Sequence, residues 1–306
     1  MRRYLLKCLA LFLALAASFA ALFGVAQSLP AQYTGSIMGT IAHKVELLQA
    51  TPSPRVILAG GSSSPYATNC EMIGEALQLP CINIGATAYL GIEFYLSMLE
   101  RTLQPGDVIV IAPEHSMLAG VRDYKTVWAA VENHRAVWDV VPTGYWPAMA
   151  LHYWDYAKTK WELSRGEAPA PYHADFGPLG DVTTYRETLL EVGYIRDDLI
   201  DLGPHTLKAR TVHALNRFYE KATAQGAQVY FVYAPLNRLA VTSPPQDWAA
   251  LESALHEKLA LPILGRMQDA MMDGAYFYDS NNHLTTEGAR LYSAHLIGLL
   301  EEAMDA

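Results

Sequence analysis

Val56-Ile57-Leu58-Ala59-Gly60-Gly61-Ser62-Ser63-Ser64 is the stretch on which the fold turns. Its short continuous apolar run suits a strand covered on both faces, and the Gly-Gly-Ser that ends it suits a tight turn into a helix. Outward from it stand two more such runs, Cys81-Ile82-Asn83-Ile84 ending at Gly85 and Val108-Ile109-Val110-Ile111 ending at Pro113. Between them Ile92, Tyr95, Leu96, Leu99 and Leu103 share one face of a helix. Strand, helix, strand, helix, strand predicts a parallel sheet with helical crossovers. The pattern lapses from about 114 to 205 and resumes in a helix through Val212, Leu215, Tyr219 and Ala222, stopped by Gly226. A fourth strand is expected at Val229–Tyr233, a fifth at Tyr276-Phe277-Tyr278, and a closing helix over about 285–303.

The 306 residues are 51% apolar and 17% charged, enough for a full core. A net charge of −9 leaves no basic field for a nucleic-acid backbone. Solubility is the favoured reading of that acidity, a weak preference for neutral or cationic substrates the alternative. Three cysteines without a Cys-x-x-Cys exclude a zinc ribbon.

The amino terminus sets the compartment. Arg2, Arg3 and Lys7 precede 19 uncharged residues, Cys8 to Ala26, close to the roughly 20 that span a hydrocarbon core. The basic flank stays in the cytoplasm, so the remainder is expected outside the cytoplasmic membrane on a single anchor. Gly24-Val25-Ala26 has the small-x-small form of a cleavage site, so the alternative is a signal peptide over 1–26 and a secreted product. Residues 27–54 read as a stalk with a helix near 35–49, closed by Thr51-Pro52-Ser53-Pro54. The domain is then 55–306, with an insertion at about 114–205. Cys70 and Cys81 could pair in an oxidising compartment, but free core thiols are the favoured reading.

In a doubly wound sheet, ligands sit beyond the carboxyl ends of the strands. Those ends here are Gly60–Ser64, Gly85-Ala86-Thr87-Ala88 and Ala112-Pro113-Glu114-His115, and the last apolar run leads into Asp279-Ser280-Asn281-Asn282-His283. A serine, an acid and two histidines thus converge on one edge. Ser62 at a helix start could be a nucleophile near free N–H groups, or simply a turn and cap residue. His283, oriented by Asp279, could supply the base that a hydroxyl needs. Glu114 and His115 read as rim or substrate contacts, Glu114 with Arg122 as a candidate ion partner. The insertion is rich in rings (Tyr145, Trp146, Tyr153, Trp154, Tyr156, Trp161). These could stack on sugars, though a small helical core is favoured. Asp175-Phe176-Gly177 lacks every companion motif of a kinase, and no P-loop, Gly-x-Ser-x-Gly, His-Glu-x-x-His or metal-ligand spacing occurs.

Over about Arg55–His115 and Gly226–Leu300 the chain resembles the SGNH/GDSL hydrolases. Val56–Ser63 looks like that family's first block, Cys81–Ala88 like its second, and Tyr278–Ala289 like its last. Among its members it is most similar to membrane-anchored exported proteins, such as the teichoic-acid D-alanine-transfer and exopolysaccharide acetylation proteins. The resemblance implies a three-layer α/β/α fold with a parallel, flavodoxin-like sheet carrying the inserted cap. It implies Ser62 as nucleophile, His283 as base and Asp279 as its orienting acid, with N–H groups at Ser62, Gly85 and Ala88 around an oxyanion. No cofactor or metal is implied. The expected substrate is an acylated envelope or extracellular glycan, or a small acyl ester, and a membrane-bound acyltransferase is the partner protein implied. Three departures stand out: Gly61 replaces the usual Asp, Glu114 follows the third strand where Gly-x-Asn-Asp is usual, and acid and base are four positions apart rather than three. Ester hydrolysis is the leading expectation. The alternatives are O-acyl transfer by the same triad and a non-catalytic glycan-binding or assembly protein.

Overall fold

The β-forming runs pair into one parallel sheet in the structure, a computed structural model that describes residues 1–132 and 134–305. In chain order, helices α1 (Arg2–Ser28) and α2 (Thr40–Ala50) precede strand β1 (Val56–Gly60), and helices α3 (Ser63–Ala67) and α4 (Cys70–Leu77) lead to β2 (Cys81–Asn83). Helix α5 (Ile92–Thr102) connects to β3 (Val108–Ala112). The interrupting segment holds α6 (His115–Leu118), α7 (Tyr124–Val131), α8 (Arg135–Val140), α9 (Trp146–Leu151) and α10 (Tyr153–Ser164), then a long irregular stretch. Helix α11 (Ala209–Ala224) restores the alternation with β4 (Gln228–Val232). Strand β5 (Leu236–Asn237), helix α12 (Pro245–Lys258), β6 (Ile263–Leu264), β7 (Met271–Met272) and α13 (Thr286–Met304) complete the chain.

The sheet order is β2-β1-β3-β4-β6, all parallel, with β5 and β7 forming a separate small ladder. Successive strand residues face opposite layers. Ile57, Ala59, Ile109, Ile111 and Phe231 join the core under α2, α5 and α11, while Val56, Leu58, Val110 and Val232 join the one under α4 and α13. The chain is thus a three-layer α/β/α fold. Its strand order reverses between β1 and β3, and ligands bind in such folds at that switch point.

Two expectations change. Tyr276–Tyr278 is not a strand: Gly274–Tyr276 is a 3-10 turn and Phe277 makes one antiparallel bridge with Leu284. The fifth place belongs to Ile263–Leu264, which pairs with Phe231 and Val232. Nor is 27–54 a free stalk, because Ile41, Val45 and Leu48 of α2 are fully buried in the main core. Cys70 and Cys81 are both free and buried; burial, and then the neighbouring Cys81, push the Cys70 thiol well above its ordinary pKa. Helix α1 is long and apolar enough to cross a membrane, with a mean hydropathy of 2.4 over its best window.

Candidate active site

β1 and β3 pair residue for residue up to Gly60 and Ala112, so the turns after both strands leave the sheet at one level. Ser62 stands at the N-cap position of α3 without a side-chain capping bond and faces Glu114, two residues past β3. Its Oγ donates to Glu114 Oε1 at 3.3 Å, and the N–H of Ser63 donates to the same oxygen at 2.8 Å. Glu114 is only 5% exposed. A Cβ at Gly61 would collide with that carboxylate and come within 3.1 Å of the Ala88 nitrogen. The bare backbone at Gly61 therefore makes the room that Glu114 fills.

The second turn packs as tightly. A Cβ at Gly85 would lie 2.8 Å from both the Gly61 carbonyl oxygen and Ser64 Cβ. The Gly85 N–H donates to Asn83 Oδ1 at 2.8 Å, so it is not free to hold an oxyanion, and that expectation is corrected. The N–H groups of Ala86 and Thr87 both donate to the Tyr95 hydroxyl. Among the described residues, Ser62 and Ala88 keep backbone N–H groups without an intramolecular partner.

The Asp279 and His283 side chains come from the turn before α13. Asp279 Oδ1 lies 2.7 Å from His283 Nδ1. Four-residue spacing closes because the turn is tied twice: Tyr278 N–H donates to the His283 carbonyl at 2.9 Å, and Ser280 Oγ accepts from the N–H groups of Asn282 and His283. The imidazole stacks on the Tyr66 ring with centroids 3.9 Å apart and planes 9° off parallel. Tyr66 sits one turn beyond Ser62 on α3, its N–H donating to the Ser62 carbonyl at 3.4 Å. The second oxygen of Asp279 accepts from the Tyr172 hydroxyl at 2.5 Å, and the Tyr66 hydroxyl lies 2.8 Å from that of Tyr172. Burial pushes the Asp279 carboxyl up, but His283 and Tyr172 outweigh it and hold the pKa below the ordinary value. Burial and the bond to Asp279 push the Tyr172 phenol far up, which keeps it a donor.

Sequence reading missed four residues that shape this corner: Tyr66, Tyr172, Arg186 and Asn281. The Arg186 guanidinium donates to the carbonyls of Leu284 (2.9 Å), Val182 (2.8 Å), Thr184 (2.9 Å) and Tyr66 (3.3 Å), tying the histidine turn to α3 behind Ser62. Buried Asn281 accepts from the Ile195 N–H and donates to the carbonyls of Ile195 and Asp198. Asn281 stood in view inside the Asp–His segment, and Tyr66 lies four positions after Ser62. Tyr172 and Arg186 lie in irregular chain without any periodic signal.

Ser62 makes no hydrogen bond to His283 among the described residues; its hydroxyl rests on Glu114. Arg122 pairs with Glu93 at 3.1 Å and not with Glu114. His115 is half-buried, its Nδ1 without a partner; burial lowers its pKa against the opposing pull of Glu114 and Asp198. Tyr145, Tyr153 and Tyr156 are fully buried core, whereas Trp146, Trp154 and Trp161 are exposed. No metal-binding group of three or more His, Cys, Asp or Glu side chains gathers among the described residues.

No family model matches the chain, and no curated protein matches it by sequence. Among solved structures it is similar to protein YxiM of Bacillus subtilis, with 10% identity and a TM-score of 0.40 over 82% of this chain. The match spans 57% of that protein. The fold assignment rests on the strand order and crossovers themselves.

Proposed function

We propose that the protein is a membrane-tethered serine acyl hydrolase of the SGNH type, acting outside the cytoplasmic membrane on acyl esters of envelope or extracellular glycans. The observation that carries the reading is the Asp279–His283 pair at 2.7 Å, stacked on a tyrosine one helical turn from Ser62. Ser62 Oγ turns from Glu114 to His283 Nε2, gives up its proton there and attacks the ester carbonyl. Asp279 holds Nδ1 and stabilises the imidazolium, and the free N–H groups of Ser62 and Ala88 receive the developing oxyanion. As the ester C–O bond breaks, His283 returns the proton to the leaving alkoxide. Water then releases the acid by the same route, and a glycan hydroxyl in its place would make the protein an O-acyltransferase.

The reading is supported by the turns after β1 and β3, which bring the Ser62 hydroxyl and unspent N–H groups to one sheet edge, and by the Asp279–His283 pair stacked on Tyr66 beside them. The tether is supported by α1, which runs unbroken through Gly24-Val25-Ala26 and leaves Ala26 only 2% exposed. A fluorophosphonate probe should label the full chain and fail to label Ser62→Ala. Equal labelling of the two proteins would take the nucleophile off Ser62, and no labelling of the wild type would remove the serine-hydrolase reading and favour a non-catalytic protein.

A further inference from the structure

The proposed chemistry leaves the exposed part of the cap unused. Leu151 is 82% and Trp154 62% exposed. Both flank buried Tyr153 where α9 meets α10. The Tyr153 ring lies 5.2 Å from that of Phe19 and 5.5 Å from that of Phe23, and its hydroxyl reaches the Phe23 carbonyl at 3.4 Å. The α9–α10 junction is therefore fixed alongside the last turns of α1.

From there α10 climbs away from α1. Tyr156 stacks 6.3 Å from Tyr33, past the end of α1. Lys160 then pairs at 2.9 Å with Glu132, whose other oxygen takes the N–H groups of Gln32 and Tyr33. Helix rise converts these contacts into depth. Phe23 lies about 4–5 Å and Phe19 about 10 Å inside Ala26, where the apolar run gives way to Gln27 and Ser28. The interfacial zone on each side of a bilayer is about 5–7 Å thick. A side chain beside Phe19 and Phe23 thus meets the lipid boundary, whereas Trp161 stands about 10 Å farther along α10 than Trp154.

We propose that Leu151 and Trp154 dip into the outer lipid interface beside α1, so that the cap rests on the membrane instead of standing clear of it. The proposal depends on α1 being a retained membrane span. Continuity with that span identifies lipid as the occupant: the surface carrying Leu151 and Trp154 adjoins the helix that enters the bilayer. Tryptophan suits the position, with its ring among acyl chains and its N–H at the headgroups. His152 and Asp155, paired at 3.4 Å and both exposed, supply polar groups at headgroup level. A second contact beside the span also restrains the domain from swinging about α1.

The test uses the full chain in phosphatidylethanolamine–phosphatidylglycerol vesicles, with and without lipids brominated near the top of their acyl chains. Trp154→Phe should remove most of the lipid-dependent quenching of tryptophan emission, and Trp161→Phe little of it. Unchanged quenching in Trp154→Phe, with the chain still floating with vesicles after an alkaline wash, would overturn the interface contact and leave the anchor standing. A chain stripped by that wash would overturn both. Emission of Trp154 that responds to added acylated polysaccharide and not to brominated lipid would give this surface to the glycan instead.

Discussion

On the Ser62 side of the site, backbone does the positioning: β1 and β3 run in register to Gly60 and Ala112, and glycines at 61 and 85 let the turns close on one another. On the His283 side no sheet strand arrives. The turn carrying Asp279 and His283 is held by side chains, namely Tyr66 beneath the ring, Tyr172 on the carboxylate, Arg186 on the carbonyls and Asn281 on the 195–198 segment. A position set by sheet register survives loss of a neighbouring side chain, because the hydrogen-bonded ladder remains. A position set by side-chain clamps does not. The position of Ser62 should therefore be robust to mutation around it, and that of His283 should be sensitive to residues of the insertion.

The largest effect should come from joining the two sides. Ser62→Ala and His283→Ala should each reduce turnover of an aryl acetate by about 10⁴-fold or more, and the double variant should lose little beyond either. Additive losses would mean that the two residues do not act as one unit. If Ser62→Ala alone abolishes turnover while His283→Ala keeps it, the proton leaves through Glu114, on which the Ser62 hydroxyl rests at 3.3 Å.

An intermediate effect belongs to Arg186, the clamp between the sides. Arg186→Met keeps much of the stem and leaves the carbonyls of Leu284, Val182, Thr184 and Tyr66 without their donor. Stability should fall by about 2–4 kcal/mol, the range for losing a buried polar network, read as a lower midpoint in urea. In the folded protein kcat should drop while fluorophosphonate labelling of Ser62 slows, with KM little changed. Unaltered kcat in a destabilised protein would make Arg186 purely structural and weaken the contrast between the sides.

The same contrast explains how much could be read from sequence. Short apolar runs ending in glycine or proline marked β1, β2 and β3, and because parallel strands share an edge, they also placed Ser62 and Glu114 together. The Asp279–His283 pair was legible as a local segment. What holds that pair was not, since Tyr172 and Arg186 act from irregular chain through contacts more than a hundred positions away from Asp279 and Tyr66 respectively. β6 escaped because two residues carry no period, and its place went to the more β-like Tyr276–Tyr278. The likeness of Cys81–Ala88 to the second block implies an oxyanion role for Gly85, but Asn83 already takes its N–H, a contact that shows only in three dimensions.

The smallest effect tests the seam between the two regions. Lys44 of α2 is fully buried, and its ammonium donates to the carbonyls of Asn83, at the end of β2, and Gly180, in the insertion, at 3.2 and 2.6 Å. It also lies 4.5 Å over the Phe176 ring. Burial pushes its pKa down from 10.5 to about 7, against the opposing pull of Cys70 and Asp181. In the unfolded chain the same amine keeps the ordinary value. Below about pH 7 both states hold the proton, and the folded state carries the full cost of a buried charge. Between pH 7 and 10.5 the unfolded state binds the proton that the folded state has released, so stability attributable to this group rises with pH across that window. The neutral amine still has two N–H groups for the two carbonyls, so the seam survives deprotonation. Lys44→Met fills similar volume without a charge and without donors. Its absolute stability at neutral pH balances relief of the charge against two orphaned carbonyls, but the pH trend has one sign. Tm of the wild type minus that of Lys44→Met should increase steadily from pH 7 to 10. Parallel melting curves across that range would mean that Lys44 stays charged in the fold, and that the seam between sheet and insertion is solvated instead of dry.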